Sequence, residues 1–169
     1  FCITVGTGLG GCAIINGRLV SGAGYSAGEI GFLRIPEKGT LEELASTTRL
    51  IDETADVLKV LPDTLDGRKI FALAKEGNIA AGRAIDRLCQ RLAAGMANIC
   101  YVLDPELIVL GGGIMAQEEY LKPRLQYAFE RAAAPGLCQH TRLVFAQLHN
   151  DAGMLGALFN FLQRQDKIE

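Results

Sequence analysis

The 169 residues are 49% hydrophobic and 21% charged, an ordinary balance for a globular domain with enough apolar material for one core. The net charge of −2, the sequence pI of about 5.8 and the lack of any long Lys/Arg cluster give no basis for a basic nucleic-acid-binding surface. No apolar run reaches the ~18–20 residues of a membrane span, and no signal-peptide pattern is present.

The chain opens at Phe1 with "FCITV", a β-branched apolar run that reads as a strand. An opening inside a strand, without Met, is expected of a fragment of a longer protein. "GTGLGG" (Gly6–Gly11) interrupts the strand, and "CAIINGRLVSG" follows. Asn16-Gly17 between two apolar runs is a hairpin signal, because both central residues of a type I′ turn need positive φ. "GAGYSAGEIG" reads as a loop and "FLRIP" as a short strand ended by Pro36. Thr40 with Glu43 three residues on forms a capping box, opening a helix through "TLEELASTTRLIDETADVLK" with a break near Ser46–Thr48. "RKIFALAKEG" reads as a short helix stopped by Gly77.

Asn78–Asp104 carries the clearest helical pattern, with Ala81, Ile85, Leu88, Leu92, Met96, Ile99 and Leu103 on one face. "LIVLGGG" reads as a buried parallel strand ending in three glycines. Pro123 suits the first turn of the helix "PRLQYAFERAAA", and "RLVFAQL" is a further strand. "DAGMLGALFNFLQRQ" closes the chain as a helix, capped by Asn150 or Asp151. The order β-β-β-α-β-α-β-α predicts an α/β, ribonuclease H-like domain, the repeated unit of actin-like ATPases and hexokinases. The expected sheet is mixed and five-stranded, with helices on both faces.

The five cysteines, Cys2, Cys12, Cys89, Cys100 and Cys138, are irregularly spaced without a C-x-x-C. They read as reduced, buried thiols of a cytoplasmic protein. His140 and His149 read as solvated residues near the ends of the last strand.

The spacing Gly6, Gly8, Gly11 matches G-x-G-x-x-G, but a dinucleotide fingerprint needs a helix immediately after the glycines. Here "CAIINGRLV" follows, and no Gly-Lys-Ser/Thr is present. What remains is a glycine turn between two strands, with more glycines than a tight turn requires. Such a turn lets backbone N–H groups approach an oxyanion, and Thr7 adds a hydroxyl.

Five stretches in order, "VGTGLGGCAIINGRLVSG", "SAGEIGFLRI", "TLEELASTTRL", "LDPELIVLGGGIM" and "NDAGMLGAL", resemble the C-terminal lobe of the ROK family of bacterial sugar kinases and sugar-responsive repressors. The resemblance spans nearly all of residues 1–169. It implies that Gly6, Thr7, Gly8 and Gly10 belong to a phosphate-binding segment of an ATP site, and that Gly111, Gly112 and Gly113 border the adenosine. It implies that Glu29 and Glu42 bind sugar hydroxyls, a task carboxylates suit as acceptors.

Two departures stand out. Most of the family has a histidine where this chain has Phe32, and a downstream cysteine cluster for structural zinc; "RIPEKGTLEE" has none, so no zinc site is expected. This form looks like the family's β-glucoside kinase branch. Phe32 is then a candidate for stacking on a sugar face, although a lone Phe entering a strand is more often core. The family's catalytic Asp lies in a motif expected upstream of Phe1, so no catalytic residue is assigned in this chain, and "NDAG" at Asn150–Gly153 reads as a helix cap. The implied reaction is transfer of the ATP γ-phosphoryl group to a hexose or β-glucoside hydroxyl, with Mg²⁺ and a homodimer as expected partners. The alternatives are the sugar-sensing domain of a repressor, whose DNA contact would come from an upstream helix-turn-helix, and a non-enzymatic interaction domain retaining the fold.

Overall fold

The computed structural model describes residues 1–148 and 151–165. Cys2–Val5 (β1) and Leu9–Cys12 (β2) pair antiparallel, with Val5 opposite Leu9. Ile14–Ile15 (β3) and Arg18–Leu19 (β4) pair around Asn16 (φ 52°) and Gly17 (φ 73°), as the Asn-Gly signal predicts. Leu41–Ala45 (α1) and Thr47–Leu58 (α2) follow, then Gly67–Lys75 (α3) and the 25-residue Ile79–Leu103 (α4). Leu107–Gly111 (β5), Glu118–Ala132 (α5), Arg142–Phe145 (β6) and Asp151–Gln165 (α6) complete the chain.

The main sheet runs β2-β1-β5-β6, with β1–β5 and β5–β6 parallel. It has four strands among the described residues, not five. The third strand of the expected sheet pairs only with the two residues of β3 and stands apart with Ile14, Ile15 and Leu19 exposed. Beyond it the chain turns away through Gly22, Tyr25 and Gly28, all at positive φ, which an extended ladder cannot absorb. The crossover helices that join β1 to β5 and β5 to β6 share one face. Steps from β1 to β5 to β6 run in one direction, so right-handed crossovers stack their helices on one face. That face carries Ile3, Val5, Ile108 and Leu110, each no more than 2% exposed, packed in one cluster with α3, α4 and α5. On the other, Thr4 is exposed and Cys2 and Val109 are partly so.

Capping signals account for the helix boundaries. Glu43 N donates to Thr40 Oγ1 and Thr40 N donates to Glu43 Oε2 at 2.7 Å, completing the capping box. Ser46 ends α1 and, through its hydroxyl, caps Arg49 N at the start of α2. Asn78 caps α4, and Asp104 closes it in the left-handed conformation. Two other readings are corrected. "FLRIP" is not a strand: Ile30–Phe32 is a 3-10 turn, and only Arg34 bridges to Thr40. Pro123 is inside α5 and not in its first turn, because the helix already starts at Glu118 after a 3-10 turn at Gly113–Gln117. His140 is exposed; His149 and the Asn150 cap lie outside the described residues. Every described side chain of α6 through Leu162 is exposed, Met154, Leu158 and Phe159 included. Among the described residues no helix is long and apolar enough to cross a membrane.

The loop before α1 is tied to α4 by a buried guanidinium. Arg91, its side chain 7% exposed, grips Glu37 through Nε and Nη2 and donates from Nη1 to Leu44 O and to Glu53 Oε1 on α2. Arg49 and Arg87 also reach Glu53. The Arg91 hydrogen bonds hold Glu37 below its ordinary pKa. Burial pushes Glu53 up, but hydrogen bonds and charge from Arg91, with Arg87 and Arg49, outweigh it and leave the carboxyl lowered. Both folded carboxylates titrate below their unfolded forms. Their stabilisation is therefore present above the ordinary glutamate pKa and is lost as pH falls through the lower folded values. Arg91→Met is expected to cost about 2–3 kcal/mol in chemical denaturation at neutral pH, since it removes the buried guanidinium's hydrogen bonds to Leu44 O, Glu37 and Glu53 and leaves Glu53 with Arg49 and Arg87 alone. It should also flatten the loss of stability on acidification; an unchanged acid profile would count against this network.

Candidate functional site

The glycine turn between β1 and β2 closes on itself through Gly6 N donating to Gly8 O at 2.9 Å. Three contacts from the α1–α2 segment then fix it. Glu42 Oε2 accepts from Leu9 N at 2.8 Å, Thr47 N donates to Gly6 O at 2.8 Å, and Thr48 Oγ1 donates to Thr7 O at 3.0 Å. Gly8 is small because of Glu42: a Cβ there would run into the Glu42 carboxylate. Gly10 lies opposite Thr4 on β1, where a Cβ would sit 2.8 Å from Thr4 Oγ1.

Gly6 and Thr7 face Gly113 across a hollow of about 430 Å³, whose lining also includes Thr47, Arg68 and Gln117. The hollow lies beyond the C-terminal ends of β1 and β5, where ligands of parallel sheets bind. Of the seven residues expected at a nucleotide, Gly6, Thr7 and Gly113 line it. Gly8 and Gly10 serve close packing beside it. Gly111 ends β5 opposite Thr4. Gly112 takes φ 102° with its Cα against the Val5 backbone, where any side chain would collide.

The three residues expected at a sugar gather around the Ile30–Phe32 turn. Glu29 is its exposed N-terminal flank, and Phe32 is 75% exposed, so the core reading of that ring is corrected. Gly31 lies against Glu42, where a Cβ would be 3.3 Å from Glu42 Cβ. Glu29 lines a separate hollow of about 300 Å³ with Asn98 and Val102. The structure therefore joins Glu42 to the glycine turn, and places Glu29 and Phe32 outside the Gly6–Gly113 hollow.

Thr47, Arg68 and Gln117 escaped the sequence reading. Thr47 lies in the expected helix break, and Gln117 lies between the expected strand "LIVLGGG" and the expected helix "PRLQYAFERAAA". Arg68 left one signal: a cation in the first turn of a helix, against the helix dipole. Asp66 is the one carboxylate lining the hollow among the described residues, and its Oδ1 is engaged in capping Lys69 N. A divalent cation in the hollow would therefore have to be held chiefly by its ligand.

A model of the ROK family matches residues 1–164. A β-glucoside kinase from Listeria monocytogenes is 31% identical over 99% of this chain and 58% of its own length. A ROK family glucokinase from Streptomyces griseus, solved with glucose and AMPPNP, superimposes with a TM-score of 0.81 at 29% identity, covering 92% of this chain and 58% of that one. A ROK family transcriptional regulator, a homologue of the E. coli MLC protein, superimposes with a TM-score of 0.79 at 26% identity, over 92% of this chain and 43% of the regulator. The chain thus spans little more than half the length of the kinases it matches.

Gly8→Ala tests the tether. The substitution is expected to cost about 1–2 kcal/mol, because the new methyl group displaces the Glu42 carboxylate from Leu9 N. In a Glu42→Ala background the same change should cost far less. Equal costs in the two backgrounds, measured by a double-mutant cycle, would remove Glu42 as the cause.

Proposed function

The chain belongs to the ROK family, and from that premise we propose that it is the C-terminal lobe of an ATP-dependent sugar kinase, transferring the γ-phosphoryl group to a hydroxyl of a hexose or β-glucoside. One observation carries the reading: the β1–β2 glycine turn and the glycine past β5 line a single hollow. In this reading the Gly6 and Thr7 backbone, with Gly8 and Gly10 shaping the turn, faces the β- and γ-phosphates of the Mg²⁺–ATP substrate. Gly113, held by Gly111 and Gly112, borders the adenosine. Phosphoryl transfer needs positioning and charge stabilisation more than covalent chemistry from the protein, and a turn fixed at three points supplies positioning.

Glu29, Glu42 and Phe32 take the sugar. Glu42 holds Leu9 N through Oε2 alone, which leaves Oε1 for a hydroxyl. One side chain then touches both the acceptor sugar and the turn that receives the phosphates. The base that removes the hydroxyl proton comes from a lobe outside this chain, and closure of the two lobes excludes water as a competing acceptor. A cytoplasmic homodimer fits this role. The sugar-sensing domain of a repressor remains the second reading. The smaller share of the regulator that this chain covers, 43%, defines how the two part: a repressor needs additional chain for DNA contact.

The test is ADP release by the full-length protein with Mg²⁺–ATP and a panel of glucose and β-glucosides. Turnover is expected with at least one sugar, and none from residues 1–169 alone. Glu29→Gln is expected to raise the sugar KM about tenfold while leaving the ATP KM unchanged. Sugar binding without ADP release, together with sugar-dependent DNA binding, would transfer the assignment to the repressor.

A further inference from the structure

The Gly6–Gly113 hollow has a second wall, the first turns of α2 and α3, to which neither the glycine motif nor the comparisons assign a role. Three observations converge there. Arg68 sits second in α3, where a cation opposes the partial positive charge of the helix start. Its neighbour Lys69 is occupied, Nζ donating to Thr64 O at 2.7 Å. Arg68 is exposed, lines the hollow, and makes no ion pair or side-chain hydrogen bond among the described residues. An unpaired guanidinium placed against the local field is the kind of broken rule that a ligand explains.

The position of Arg68 is fixed by packing. Gly67, at the start of α3, lies so close to Ile114 that a Cβ would be 2.9 Å from Ile114 Cγ2. The turn carrying Arg68 is thereby held at a set distance from Gly113, the residue before Ile114. On the α2 side, the Thr47 hydroxyl is buried with no hydrogen-bond partner among the described residues. Its methyl group faces Gly67, 3.7 Å from where a Cβ would stand. Thr47 and Gly67 both line the hollow, and a threonine in a helix divides between two χ1 rotamers, so the hydroxyl is free to reorient toward a ligand. A buried hydroxyl without a partner disfavours the empty site and favours any ligand that supplies an acceptor.

We infer that Arg68, with the Thr47 hydroxyl, is a phosphate-binding residue of the hollow, gripping the nucleotide's phosphate chain from the side opposite the glycine turn. Arginine suits this task because its planar fork donates two parallel hydrogen bonds to phosphate oxygens. The inference rests on the nucleotide reading of the hollow, and the two can fail separately.

The experiment is titration of the full-length protein with Mg²⁺–ATP and with adenosine, which carries no phosphate, for wild type, Arg68→Met, Arg68→Lys and Thr47→Val. Arg68→Met is expected to weaken ATP about tenfold or more and adenosine not at all, with Arg68→Lys in between. Thr47→Val is expected to weaken ATP several-fold without lowering the melting temperature, since the hydroxyl has no partner among the described residues to lose. Wild-type protein that binds no ATP would sink the nucleotide reading and this inference with it. Wild-type binding with ATP unaffected by Arg68→Met overturns the inference alone. Equal weakening of ATP and adenosine also overturns it, by moving the contact to the nucleoside. A lower melting temperature with unchanged ATP affinity in Thr47→Val removes Thr47 from the assignment.

Discussion

The hydrogen bond from Leu9 N to the Glu42 carboxylate constrains everything around it. A turn of Gly6, Thr7 and Gly8 has too little side chain to hold its own shape, and glycine's conformational freedom makes ordering it costly. The ordering comes from outside the turn. Glu42 holds it at one end, and Thr47 N and Thr48 Oγ1 hold it at the other. Both anchors belong to the α1–α2 segment, Glu42 within α1 and Thr47 and Thr48 at the start of α2. That stretch is secured in turn by Arg91, which reaches Leu44 O and Glu53 from within α4. The longest described helix thus fixes the glycine turn through two intermediates: the Arg91 contacts are buried or partly buried, the Glu42 contact is partly buried, and the Thr48 contact is exposed.

This arrangement explains why the fold was largely legible in the sequence while its margins were not. The capping box at Thr40–Glu43, the Asn-Gly turn and the apolar stripe of α4 are local signals, and local physics decides them. The fifth strand depended on what happens after Leu19, where Gly22, Tyr25 and Gly28 adopt positive φ; no pattern in the strand itself reports that. The one-sided stacking of helices follows from strand order, a non-local property. Pro123 misled because proline favours a first turn, and the 3-10 segment at Gly113–Gln117 let the helix begin earlier.

The candidate site shows a different limit. Four glycines in six residues are more than a tight turn requires, which points to an approaching anion. The structure supplies ordinary reasons for part of that excess: Gly8 makes way for Glu42, and Gly10 for Thr4. Gly6 and Thr7 alone line the hollow from this turn. Glycine content thus marks where backbones and side chains approach closely, and only some of those approaches involve a ligand. The wall carrying Arg68 was unreadable from motifs because its residues come from three separated segments, and only folding brings them together.

Ser46 has a consequence for motion. Its backbone N–H donates to Glu42 O at the end of α1, and its hydroxyl accepts from Arg49 N at the start of α2. One residue therefore closes one helix and opens the next, with no spacer to absorb fraying. When either end loosens, the other loses its partner, so the amides of both helices should exchange with solvent as one cooperative unit. Because Glu42 precedes that residue in α1 and Thr47 and Thr48 follow it in α2, opening of the unit also releases the contacts that hold the glycine turn. The shape of the hollow on this side is then set by the stability of the two helices together.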